Sequence, residues 1–201
     1  MNSSQIISVV SVDEMIGLSH HPSALLVTFI ATHCTSMPIT LRAAVADDEA
    51  FLYELYASTR AEEMALFGWD AQQCEIFLRM QFNAQRQSYA EFPNPDHRII
   101  LRDGQPIGPK PIGRMLVLRL EKEFCLADIA LLPNERGAGL GARLIGDLLA
   151  EAAQAGKPVR LHVADGNRAR RLYERLGFTP AGDDGVYCAM KWRANSGDAE
   201  N

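Results

Sequence analysis

The chain has few cysteines and none placed to act together: Cys34, Cys74, Cys125 and Cys188 are scattered through 201 residues without a Cys-x-x-Cys spacing. Neither a zinc site nor a disulfide framework is indicated, and a reducing cytoplasm suits isolated thiols. His20-His21 and His33-Cys34 lack the second spaced pair that a metal site needs, so no metal is expected. Residues 1–36 contain neither Lys nor Arg, which removes the basic start of a secretory signal, and the apolar run at 24–31 is too short to span a bilayer. Positive charge is scarce overall. With 20 Lys and Arg against 25 Asp and Glu, the net charge of −5 gives no long-range pull on nucleic acid or an anionic membrane, and it suits a basic substrate or a small amine. Two nucleotide signatures are missing too. The glycines at 137, 139 and 141 do not make Gly-x-Gly-x-x-Gly, and Gly141 is followed by Ala142 and Arg143 rather than by Lys and Ser or Thr.

What the chain does have is a strand-to-helix junction suited to an anion. Residues 129–141 read Ile-Ala-Leu-Leu-Pro-Asn-Glu-Arg-Gly-Ala-Gly-Leu-Gly, an apolar strand end, a turn and a glycine-rich helix start. The first turn of a helix has unpaired N–H groups and a positive dipole end, and glycines let a phosphate approach the backbone closely. Arg136 adds a fixed charge that can fork onto phosphate oxygens. The helix is well specified, with Leu140, Leu144, Ile145, Leu148, Leu149 and Ala152 on one stripe and Arg143, Asp147, Glu151 and Gln154 opposite. Gly156 and Pro158 end it. The structural alternative is a tight turn that merely needs its glycines.

Arg136-Gly137-Ala138-Gly139-Leu140-Gly141, directly after a strand, resembles the Arg/Gln-x-x-Gly-x-Gly/Ala motif of the GNAT superfamily of acyl-CoA-dependent N-acyltransferases. In that family the loop amides hold the pyrophosphate of coenzyme A. Downstream, Asn167 and the stretch Leu172-Tyr173-Glu174-Arg175-Leu176-Gly177-Phe178 are similar to the family's Asn…Leu-Tyr-Glu-x-Leu-Gly-Phe segment, although Asn167 precedes Tyr173 by six residues where many members have seven. The resemblance implies acetyl-CoA as cosubstrate, contacted by Ala130, Leu131, Leu132, Arg136, Gly137, Ala138, Gly139, Leu140, Gly141, Asn167, Arg170 and Tyr173, with the tyrosine pointing at the sulfur. Taken alone, Tyr173 is an ordinary core aromatic of an amphipathic helix.

The element order can be read coarsely. A strand at residues 39–43 leads to a helix after Asp47 and Asp48 that carries Phe51, Leu52, Leu55 and Tyr56. Residues 58–63 form a loop or continue as helix. Asp70 caps a long helix with Ile76, Phe77, Met80 and Phe82 on its apolar side, running to about Tyr89. Strands follow at 97–101, 112–120, 124–132 and 159–163, the last two separated by the glycine-led helix, and a hairpin closes the chain at 178–181 and 186–192. This order matches the GNAT fold, an α/β mixed sheet of about seven mostly antiparallel strands with helices on both faces. In it the strands near Ala130 and Arg160 splay apart to admit the pantetheine arm. The domain is expected at 37–193, with 194–201 as a tail. Residues 1–36 form an extension that reads as a dispensable tail, a partner-binding segment and a packed helix being the alternatives.

The implied chemistry follows from charges. An amine attacks a thioester only when neutral, so a base takes its proton: Asp128 is the candidate, with His162, Glu62 and Glu63 as other options. Backbone N–H groups at Ala130 to Leu132 would hold the oxyanion. A thiol has a pKa of about 8.5 and a phenol about 10, so Tyr173 can protonate the leaving group. The expected function is an N-acetyltransferase acting on a primary amine, as a monomer or homodimer, and the rival is a non-catalytic acyl-CoA-binding or sensing module. Small amine, antibiotic, amino acid and protein N-terminus all fit as acceptor, and Trp69, Arg60 and Glu63 are candidates to line its pocket.

Overall fold

The computed structural model describes residues 38–104, 108–183 and 185–194. The extension at 1–36 and the tail beyond 194 lie outside the described residues. Strand β1 (Ile39–Ala43) is followed by helices α1 (Glu49–Ser58), α2 (Ala61–Leu66) and α3 (Ala71–Ala90), then by strands β2 (Asp96–Arg102), β3 (Lys110–Arg119) and β4 (Phe124–Leu131). Helix α4 (Leu140–Gln154), strand β5 (Val159–Ala164), helix α5 (Ala169–Arg175) and strands β6 (Thr179–Asp183) and β7 (Tyr187–Trp192) complete the chain. The strands form one sheet in the order β1-β2-β3-β4-β5-β7-β6, and β4-β5 is its parallel pair. No helix among the described residues is long and apolar enough to cross a membrane.

Local signals explain most boundaries. Asp70 accepts from Gln73 N at 2.8 Å while the Gln73 side chain accepts from Asp70 N at 3.0 Å, a reciprocal cap that starts α3. Asp48 pairs with Arg42 and accepts from Val45 N at 2.8 Å, which fixes the turn between β1 and α1. The apolar stripe of α4 is buried as its period requires. Helix α3 agrees with expectation in part: Phe82 is buried and Phe77 packs on the core, but Ile76 and Met80 are 63% and 60% exposed, and Leu78 and Tyr89 face inward in their place. Both phases satisfy a helical spacing, and packing against α1 selects the second. The segment at 58–63 is a turn at Thr59 and Arg60 followed by α2.

The sheet separates two layers. On one face Leu126, Ile129, Leu131, Val159, Leu161 and Val163 pack against α4 and α5. On the other, Ile99 and Leu101 meet α1, α2 and α3, and Leu116, Leu118, Cys125 and Ala127 lie with Tyr89. Strand β4 carries a bulge. Leu116 opposes Asp128 but Val117 opposes Leu126, so Ala127 is the extra residue and Asp128 follows it onto the α1–α3 face, beside Arg114 and Tyr89.

Strands β4 and β5 pair only at Phe124 with Val159 and at Cys125 with Arg160. Beyond those two pairs they diverge, leaving an opening through the sheet. Ala130 lies on that opening, whereas Arg160 belongs to the paired base, so the splay begins later on β5 than the sequence suggested.

Gly113 is held to glycine by this architecture, because a Cβ there would lie 2.4 Å from the Ala130 carbonyl oxygen and 2.7 Å from Leu131 Cδ2. Gly113→Ala should therefore cost about 1–3 kcal/mol of stability, read as a lower midpoint in urea.

Candidate active site

Backbone parity decides which N–H groups face the opening. Phe124 N donates to Pro158 O on the β5 side, whereas Leu132 N donates 2.9 Å to Ile112 O on β3. Alternation along the strand, with the bulge at Ala127, turns Ala130 toward β3 and leaves the N–H groups of Ile129 and Leu131 directed toward β5. Of the three residues expected to offer a donor, Ala130 and Leu132 are thus spent on the sheet. Leu131 remains. Ile129, missed in the sequence, points the same way, and its N–H also helps hold the Asp128 carboxylate. A hydrogen-bond parity shifted by a bulge has no sequence signature.

The glycine-rich loop forms as its composition requires. Gly137 and Gly139 both have φ of +77°, and Gly139 caps α4 in the left-handed conformation. Arg143 N closes the first turn onto Gly139 O at 3.0 Å, so the earlier amides at Leu140, Gly141 and Ala142 have no intrahelical acceptor. Ala138 is exposed between the two glycines. Arg102 on β2 holds Glu135, which pins the start of this loop.

Arg136 does not extend freely from the loop. Its Nε donates 2.8 Å to Leu131 O, and its Nη2 reaches Ser58 Oγ at 3.5 Å. The guanidinium thus ties the end of β4 to the end of α1. Asn167 accepts from Ala169 N at 2.9 Å and so caps α5. Arg170 pairs with Glu174 at 3.0 Å along the exposed side of that helix.

Tyr173 is fully buried on α5, edge-on to Phe178 at 5.8 Å, and its hydroxyl has no hydrogen-bond partner among the described residues. Burial, then the charge of Asp128, pushes its pKa well above the usual phenol range, so it carries its proton at neutral pH. An orphaned hydroxyl in a core is costly unless something outside the chain completes it.

Asp128 is 1% exposed and forms an ion pair with Arg114, which is 4% exposed. Burial raises the carboxyl against the pull of Arg114. The other Arg114 contacts are Gln85 Oε1, 2.7 Å from Nη2, and the Tyr89 ring, 5.4 Å from the guanidinium carbon. The Tyr89 hydroxyl lies near Asp128 without closing a hydrogen bond of regular geometry. Arg114 was missed in the sequence, yet a lone arginine inside the apolar run 112–118 was its signal. His162 is half-buried on the β5 face opposite Leu161 and Val163, across the opening from Asp128. Glu62 and Glu63 are exposed on α2, and Trp69 stacks on Phe67 at 4.8 Å while remaining 39% exposed. Among the described residues no group of three His, Cys, Asp or Glu is arranged to hold a metal ion.

A model of the acetyltransferase (GNAT) family matches residues 58–178, more than half of the chain. The chain belongs to the GNAT acetyltransferase family. In this chain, helices α4 and α5, the latter bearing Tyr173, pack on the face of the sheet formed by the β4 and β5 strands that part at the opening. This GNAT chain is 37% identical over 68 residues to the ribosomal protein bS18-alanine N-acetyltransferase of Haemophilus influenzae, an alignment covering 33% of the chain and 47% of that protein. It thus spans about half the length of the curated relative it matches. Among solved structures, a PaiA N-acetyltransferase from Thermoplasma acidophilum in complex with coenzyme A superposes with a TM-score of 0.57 at 16% identity, covering 78% of this chain and 99% of that one. An acetyltransferase from Thermus thermophilus gives 0.57 at 17% identity, over 79% and 98%. At these identities the likeness concerns the fold.

Proposed function

We propose that this GNAT chain transfers an acetyl group from acetyl-CoA to a primary amine by direct attack on the thioester. The observation that carries the reading is the fully buried, unpartnered hydroxyl of Tyr173, on the α4–α5 side, with the β4–β5 opening beside it and Asp128 on the other side. The residues fit the cosubstrate. Gly137, Gly139 and the first-turn amides of α4 offer a cradle without side chains for a diphosphate, and the opening gives the thioester a way into the sheet.

Each residue then has a task. Asp128, its affinity for protons raised by burial, takes the amine proton directly or through a water, and Arg114 fixes its orientation. The N–H of Leu131 faces the position where negative charge develops on the carbonyl oxygen, while that of Ile129 steadies the Asp128 carboxylate. Tyr173 gives its proton to the departing thiolate. Asn167 and Arg136 act by position, the first by starting α5 and the second by bracing β4 against α1.

Thiol release from acetyl-CoA in the presence of amine panels tests the proposal. Amine-dependent release supports transfer, and tight binding of acetyl-CoA with no release for any amine overturns it in favour of a binding module. Gly139→Val tests the cradle separately. A β-branched residue at φ of +77° costs about 1–2 kcal/mol and places a side chain on the phosphate path, so coenzyme affinity by calorimetry should fall tenfold or more.

A further inference from the structure

Between α1 and α3 lies a cleft of about 370 Å³, within the usual small-molecule range, lined by Tyr56, Arg60, Gln81, Gln85, Ser88 and Tyr89. Its lining is rich in donors. Gln81 Oε1 is taken by the Tyr56 hydroxyl at 3.0 Å and Gln85 Oε1 by Arg114 at 2.7 Å, so each glutamine offers the cleft its NH₂. Arg60 carries a buried Nε with no partner among the described residues, and its Nη1 contact to Glu63 is a long 3.3 Å to a half-exposed carboxylate. The Tyr89 hydroxyl, at the inner wall, is directed at Asp128. No carboxylate lines the cleft, although the whole chain carries −5. Arg60 is thus the charged side chain of the lining itself, with Glu63 and Asp128 at its margins.

The cleft also adjoins the chemistry. Arg136 joins Ser58 to the end of β4, which sets the turn bearing Arg60 beside the opening, and the Tyr89 wall reaches Asp128.

We propose that this cleft binds the acceptor, and that the acceptor is an amine of amino-acid size that carries a carboxylate, with Arg60 reading the carboxylate. The proposal rests on the acetyl-transfer reading above. Arg60 presents a planar fork that a carboxylate matches in two bonds, while the glutamine amides complete the anion's remaining lone pairs. Glu63, exposed and loosely held, yields to the ligand. The amino end then lies toward Asp128 and the opening.

The test uses the full chain, saturating acetyl-CoA and matched acceptors: free amino acids, their primary amides and the corresponding decarboxylated amines. The acid member of each set should have a kcat/KM at least tenfold higher. Arg60→Gln should raise KM for acids by about 10- to 100-fold with kcat little changed and leave the amides and amines unaffected. Arg60→Lys should restore part of the loss. Equal rates across each set, an equal effect of Arg60→Gln on all members, or a preference for polyamines or peptide N-termini overturns the proposal. Failure of the parent reading looks different. If no acceptor releases thiol, thermal shift of the coenzyme-bound protein decides: protection by amino acids that Arg60→Gln abolishes sustains the cleft assignment while transfer fails, and no protection overturns both.

Discussion

Tyr173→Phe should lower the single-turnover rate of thiol release by about 10²- to 10⁴-fold while coenzyme affinity and melting temperature stay close to those of the parent. The substitution keeps the ring against Phe178 and removes only an oxygen that none of the described residues bonds. A tyrosine retained for structure would lose a hydrogen bond and about 1 kcal/mol on this change. Here the fold loses none, and removal of a buried orphan is neutral or stabilising. Stability unchanged with chemistry impaired is thus the signature of a proton donor. An unchanged single-turnover rate rejects that role, and the measurement must isolate the chemical step because product release can mask it.

Arg114→Met should cost about 3–5 kcal/mol, since it strands the Asp128 carboxylate in a site that is 1% exposed. The loss has a defined pH dependence. Without Arg114 the folded-state pKa of Asp128 rises further above the unfolded value near 4, so the folded state holds the proton more tightly. The deficit is smallest below the ordinary carboxylate range and opens as pH rises through the folded-state pKa. Urea midpoints at a series of pH values read it directly. Arg114→Met with Asp128→Leu should recover much of the stability at neutral pH and none of the activity. A double variant no more stable than Arg114→Met alone would show that the pair is not the unit that matters.

Short-range physics made most of the elements legible. The stripe of α4, its glycine-led start and the Asp70 cap each depend on residues within one or two turns, and each formed as read. What was not legible depends on distant partners. Ile76 and Met80 satisfy a helical period that packing against α1 did not choose. The contact from Arg136 to Ser58 joins residues 78 positions apart, which no local pattern announces. The bulge at Ala127 illustrates the limit best. One extra residue reverses backbone parity, moving Asp128 to the face of Tyr89 and Arg114 and directing the N–H groups of Ile129 and Leu131 away from β3. Nothing in the local sequence distinguishes a bulged strand from a straight one here.

The two residue pairs that join β4 to β5 also make the sheet a pair of tongs. Strands β1 to β4 form one arm and β5 to β7 the other, meeting at a pivot where Glu123 holds Arg160 at 2.9 Å and Lys191 at 3.7 Å. Past that pivot no rung crosses between the arms, so their spread can change without breaking a ladder hydrogen bond. A guest entering at the tip finds the strands already parted and is spared the cost of unzipping them.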